Sequence, residues 1–147
     1  MDKKLRGRIH NILRNDFKKS KLYSEVLEKA KLDVKVYKCE ECGQVYYTGV
    51  SDKNFEEYKD KYPGIIAAEV TRSKSGSKRA KNCFEVDHKE PVIPYDKLYY
   101  EVNLEEWVDR LYCDINNLAC LCTSCHKEKT AKEATIRSKY KKLKKLE

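Results

Sequence analysis

The sequence has no long apolar stretch. Its longest uncharged run of apolar character, Ile115 to His126, falls well short of the ~18 residues that a membrane span requires. With only five glycines among 147 residues, a collagen-like chain is excluded. There is no internal repeat, and low complexity is confined to the Lys-rich tail KYKKLKKLE. The opening residues, MDKKLRGRIHNILR, lack the apolar centre of a secretory signal, so the expected compartment is a reducing cytoplasm. Histidine is scarce, with three copies, and so each position is informative. What is plentiful is tyrosine, eleven copies, within an apolar content of 40%, too much core-forming material for a disordered chain. The length suits one domain with a small appendage. Seven cysteines in a reducing compartment read as metal ligands or buried thiols rather than a disulfide framework, and the odd count agrees.

The net charge of +8 is unevenly laid out. Residues 1–38 hold twelve Lys/Arg against five Asp/Glu, and residues 126–147 hold nine against three. The middle, 39–125, is acidic, with sixteen Asp/Glu against eleven Lys/Arg. Within that middle, RSKSGSKRAK carries Arg72, Lys74, Lys78, Arg79 and Lys81 and no acid. Basic flanks around an acidic centre suit a protein that grips polyphosphate at its edges and holds a cation between them. Solvated helix faces are the plainer account of the same lysines.

Leu5, Ile9, Ile12 and Leu13 recur at helical spacing, which predicts an amphipathic helix over 3–15. Ser20 is a candidate N-cap for a second helix, 22–31, with Val26, Leu27 and Ala30 inward. Tyr-rich, strand-like segments flank a tight turn in YKCEECGQVYY. A short helix over 54–62 is expected to stop at Pro63-Gly64, and 65–71 and 83–88 are β-prone, with a hairpin tip between them. Asn103 is placed to cap a helix with Leu104, Trp107, Val108 and Leu111 on one face. Thr123 or Ser124 is placed to cap a long basic helix running toward residue 147.

Cys39-x-x-Cys42 and Cys122-x-x-Cys125 are two knuckles separated by 79 residues. Each sets two thiolates on one turn, and two such turns complete the tetrahedral sulfur site that structural zinc takes. A redox role needs a Cys pair at a strand-to-helix junction of a βαβ unit, and no parallel-sheet pattern is present. Cys83, Cys113 and Cys120 lack a partner pattern and read as core thiols. His10 sits among basic residues, which points to a surface position or a phosphate contact. His88 follows Asp87, and His126 follows Cys125. The structural reading is that Asp-His pairs are common, and that a histidine after a Cys knuckle, His126, replaces a sulfur as zinc ligand. A catalytic reading treats Asp87 and His126 as one oxygen and one nitrogen ligand, a sparse set that leaves positions on a divalent cation for phosphate and water. His88 is then free to accept a proton from water near neutral pH.

The segments YKCEECG, FEVDHKEPV and INNLACLCTSCHKEKT together resemble the HNH nuclease family, over residues 37–133 and in family order. The N-terminal helices and the insert NLEEWVDRLYCDINNL are similar to small HNH proteins encoded by bacteriophages. The resemblance implies an α+β fold with a ββα-metal core. That core would be clasped by a four-cysteine zinc site, with a helical appendage at 1–34 and a nuclease domain at 35–147 ending in a long basic helix. It implies that Asp87 and His126 hold the catalytic cation (Mg²⁺ or Mn²⁺, with Ni²⁺ or Zn²⁺ as further options) and that His88 is the general base. Asn117, the asparagine directly before Leu118, would fix the loop and orient the base. Lys129 and Thr130, a turn beyond His126, would face phosphate or a metal-bound water. The implied partner is DNA, bound by a monomer or homodimer in the cytoplasm, of a bacterial host if the chain is phage-encoded. The competing expectation is a zinc-stabilised nucleic-acid-binding module without catalysis.

Overall fold

Asp2 opens the first helix by accepting from the Leu5 amide at 3.3 Å, and α1 runs Lys3–Lys18 in the computed structural model, which describes all 147 residues. The helix runs one turn past the expected end because Phe17 is a core residue, only 5% exposed. Ser20 caps α2 (Lys21–Ala30) as expected, its Oγ accepting from the Tyr23 amide at 3.2 Å. Three short strands follow: β1 (Lys31–Asp33), β2 (Val36–Lys38) and β3 (Val45–Tyr47). The turn between β2 and β3 carries the first Cys pair. Gly43 sits there at φ +73°, a left-handed conformation that a side chain would strain.

Ser51 caps α3 (Asp52–Lys61), which stops at Tyr62, just before Pro63-Gly64. The single strand expected over 65–71 is divided. β4 (Ile66–Ala67) pairs in parallel with β3, whereas β5 (Val70–Arg72) pairs antiparallel with β6 (Lys78–Ala80). Between them the backbone changes partners: Ala68 N–H donates to the Tyr47 carbonyl, and Lys81 N–H to the Glu69 carbonyl. The β5–β6 ribbon bonds to no third strand.

β7 (Phe84–His88) pairs antiparallel with β8 (Leu118–Cys122), with Asp87 opposite Ala119 and His88 opposite Leu118. Between them lies α4 (Leu104–Leu111), capped by Asn103, whose Oδ1 accepts from the Glu106 amide at 2.8 Å. A single 3-10 turn, Ile115–Asn117, leads into β8. α5 (Thr123–Lys144) then leaves the sheet as one long helix with no buried residue. Its N-cap is Cys122 and not Thr123 or Ser124, because Cys122 is the last strand residue and the helix begins directly after it.

Every residue of β8 is buried, and with Phe84, Val102, Trp107 and Leu111 it forms the main core. Trp107, Leu118 and Val26 are almost wholly shielded from water, each contributing about 1.5–3 kcal/mol of transfer free energy. Phe17, Val26 and Ala30 belong to the same core, so α1 and α2 are built into the main body and do not stand apart as an appendage. The β1–β2 hairpin likewise runs across the boundary expected at residue 34. A small second core of Val36, Tyr47 and Ile65 lies beside α3, packed against Phe55 and Tyr58. The chain is thus a mixed α+β protein with five helices and three small sheets.

Candidate metal cluster and histidine cleft

The β2–β3 turn and the β8–α5 junction bring the two Cys pairs together. All four sulfurs, of Cys39, Cys42, Cys122 and Cys125, lie within 4.8 Å of one another, a grouping able to hold a metal ion. The backbone prepares the site. The Cys39 sulfur accepts from the Cys122 amide at 3.2 Å, and Glu40 N–H donates to the Cys120 carbonyl at 3.0 Å. Burial opposes ionisation of Cys39, yet donors at Cys122, Cys42 and Glu41 outweigh it and lower the thiol to about 7. The thiolate is the form that binds metal. Cys125 moves the other way, raised first by burial and then by its neighbouring sulfurs. Without a cation, four thiolates in one cluster repel each other. Cys120 is buried, and Cys83 and Cys113 are half-buried, all three outside the cluster, as expected of core thiols.

A cleft of about 470 Å³ opens where β7, the first turns of α5 and the side of α1 meet. Asp87, His88, His126, Lys129 and Thr130 all line it, so these sequence-predicted residues share one cavity. His88 is 8% exposed, and its ring lies 5.2 Å from that of Phe17. Its Nε2 is 2.8 Å from the Leu111 carbonyl oxygen. That oxygen can only accept, so Nε2 carries the proton, and Nδ1 of the neutral ring keeps its lone pair. Burial lowers the His88 pKa, against the upward pull of the Leu111 carbonyl and Asp87.

Asp87 Oδ1 accepts from the His88 amide at 2.8 Å, and Oδ2 meets the Lys129 ammonium at 3.0 Å. Lys129 also donates to Glu133 at 2.6 Å and to the His88 carbonyl at 2.8 Å. Although burial works against its charge, the two carboxylates hold its pKa above the ordinary value. Lys129 therefore points inward and ties α5 to β7. His126 Nε2 lies 3.5 Å from Glu85, the residue that shares Asp87's side of β7. Arg14, Lys18 and Arg137 complete the basic part of the lining.

Asn117 does not touch the His88 ring. Its Oδ1 accepts from the Glu90 amide at 2.9 Å, its side-chain amide donates to the Glu90 carbonyl at 3.4 Å, and its own carbonyl accepts from Lys89 at 2.7 Å. It therefore fixes the loop after His88, whereas the ring is oriented by Leu111. Arg72, Lys74, Lys78, Arg79 and Lys81 lie on or beside the β5–β6 ribbon and away from this cleft.

His10 departs from expectation. It is 6% exposed and stacks on Trp107 at 4.2 Å and 7°, so it is a core residue and neither a surface group nor a phosphate contact. Leu111's part was not legible beforehand, since a backbone carbonyl has no residue signature. Glu133 was within reach of sequence reasoning, because it stands four positions after Lys129 on a helix.

No helix is long and apolar enough to cross a membrane. Comparison with family models, with curated proteins and with solved structures found no match to this chain.

Proposed function

We propose that the chain is a metal-dependent DNA endonuclease of the HNH type, with β7, β8 and α5 as its ββα-metal core and the four cysteines holding a structural zinc. The reading rests on one contact, the hydrogen bond from His88 Nε2 to the Leu111 carbonyl. A ring held in that tautomer, half in the core and half at a polar cleft, is built as a base: Nδ1 takes a proton from water while Nε2–H remains tied to the carbonyl. The depressed pKa of His88 keeps the ring neutral, and so basic, at physiological pH.

Asp87 and His126 would hold the catalytic cation. Their donor chemistry fits a divalent ion whose remaining ligands are water and phosphate, and Asp87 Oδ2, paired with Lys129 at 3.0 Å, is the oxygen such an ion would take over from the ammonium. Such an ion supplies Lewis-acid stabilisation of charge on the phosphate and on the departing 3′ oxygen. The chain's own residues do the rest. His88 accepts the proton of the attacking water. Lys129 and Glu133 hold Asp87 in place, and Asn117 pins the loop that follows the base. Arg14, Lys18 and Arg137 offer positive charge to flanking phosphates, and the β5–β6 ribbon offers more at a distance.

The test is cleavage of supercoiled plasmid DNA with Mg²⁺, Mn²⁺, Ni²⁺ or Zn²⁺. The expected outcome is nicking or linearisation that falls by about 10²–10⁴-fold in His88→Ala. Cleavage that persists in this variant overturns the assignment of the base. DNA binding without cleavage under any metal favours the non-catalytic binding module.

A further inference from the structure

A second groove, of about 610 Å³, lies between the β7–α4 connection and the last turns of α5. Of its eleven lining residues six are Lys or Arg, and none is Asp or Glu. Lys97 and Lys144 are neutralised from outside the groove, by Glu106 at 3.1 Å and Glu101 at 3.5 Å. Lys141, Lys142 and Lys145 form no ion pair at all. Set among these charges are three aromatic rings. Tyr99 and Tyr100 are 37% and 49% exposed, with ring planes at 79° to each other, and Tyr140 is half-buried on α5. Arg137 lines both this groove and the His88 cleft, so the two share a wall.

Lysines free of carboxylates can follow a phosphate backbone, and the tyrosine rings beside them, each with a cation over one face (Arg6 on Tyr99, Lys3 on Tyr100, Lys144 on Tyr140), add apolar surface that phosphate alone would not use. Duplex DNA keeps its bases stacked inside and would use the lysines alone. An unpaired strand presents the faces of its bases, which stack on aromatic rings while its backbone follows the positive charge. We propose that this groove binds an unpaired DNA strand adjoining the His88 cleft, so that the preferred substrate carries a single-stranded segment next to the scissile bond. This deepens the nuclease reading and rests on it for the meaning of the cleft.

The test uses the zinc-loaded full chain in a His88→Ala background, with no chelator and no added Mg²⁺ or Mn²⁺, so that cleavage is blocked while the sulfur cluster keeps its metal. Fluorescence anisotropy compares a blunt duplex with the same duplex carrying a short single-stranded thymidine tail. The tail is expected to tighten binding at least about five-fold, the yield of one base stacked on an aromatic ring. Tyr100→Leu and Tyr140→Leu, each checked for an unchanged thermal melt, should abolish that gain and leave blunt-duplex affinity within about two-fold. Replacing Lys141 and Lys142 by Ala should weaken both ligands and flatten the salt dependence by about one to two counter-ions. Equal affinity for tailed and blunt DNA, or tyrosine variants that weaken both alike, would overturn the proposal. Tail-dependent binding by a parent protein that fails to cleave with any of the metals sinks the nuclease reading and leaves the groove standing. Cleavage without tail preference does the reverse.

Discussion

His10 and His88 are both buried, but only one has a hydrogen-bond partner. His88 is tied to Leu111, whereas His10 Nε2 and the adjacent Trp107 Nε1 have none. A buried nitrogen without a partner destabilises, yet the stack on Trp107 contributes in the other direction. His10→Phe keeps the stack and removes the orphaned nitrogen, and is expected to raise the free energy of unfolding by about 1 kcal/mol in a denaturant titration. The same variant alters the pH response. Burial, then Arg6 and Arg14, lower the His10 pKa from 6.5, so the unfolded chain takes up the proton first. Stability is therefore full above the unfolded value and is lost as pH falls below it. Melts from neutral to mildly acidic pH should show a shallower fall in His10→Phe than in the parent. The residue pattern did not foretell this, because His10 lies in a basic helix and its partner Trp107 arrives from α4 at a distant point in the chain. The grouping of the four cysteines, by contrast, was legible, since its chemistry is carried by residue type and spacing.

Elements were legible where caps and period agreed. Ser20 and Asn103 each cap the helix expected of them, and C-x-x-C marked both turns. The division of 65–71 into β4 and β5 was not, because local β propensity does not say which sheet a strand joins. The placement of α3 was also hidden, since it depends on contacts far apart in sequence. Asp33, on β1, accepts from Lys61 Nζ at 2.6 Å and from the Tyr58 and Tyr62 hydroxyls at 3.4 and 3.3 Å. The Lys61 contact, with the Val34 amide, holds the Asp33 pKa at about 2. A depressed carboxylate stabilises above its unfolded value, and that contribution fades as pH falls from about 4 toward about 2. Asp33→Asn should reproduce the loosened state at neutral pH. Hydrogen exchange in residues 52–61 is expected to quicken while β7 and β8 remain protected. Equal exchange in parent and variant would show that packing of Phe55 and Tyr58 on Tyr47 alone holds the helix.

For the folded chain as one body, the sulfur cluster fastens the β2–β3 hairpin to the β8–α5 junction, across the main core. If it holds zinc, metal analysis should return one ion per chain, and Cys39→Ser should lower the melting temperature by more than about 10 °C. His88→Ala should instead stay folded, with a loss of about 1–3 kcal/mol from its cavity and the orphaned Leu111 carbonyl. Equal melting of the two variants would contradict the separation of fastening from chemistry. N-terminal helices were expected to stand apart, but Phe17 and Val26 place them in the core. Amphipathicity shows that a helix buries one face and leaves open which surface receives it.

The β5–β6 ribbon has a consequence for how this protein can change. Its strands bond only to each other, and its tip, Ser73 to Ser77, closes on itself through Ser73 and Gly76. Both the core and the sulfur cluster lie outside it. Each doubling of a loop adds only ~0.6 kcal/mol of closure entropy, so a longer or shorter tip would alter little but reach. The ribbon is thus an adjustable arm on a fixed body. Its length, and the number of charges it carries, can drift or be engineered without repacking a single buried side chain.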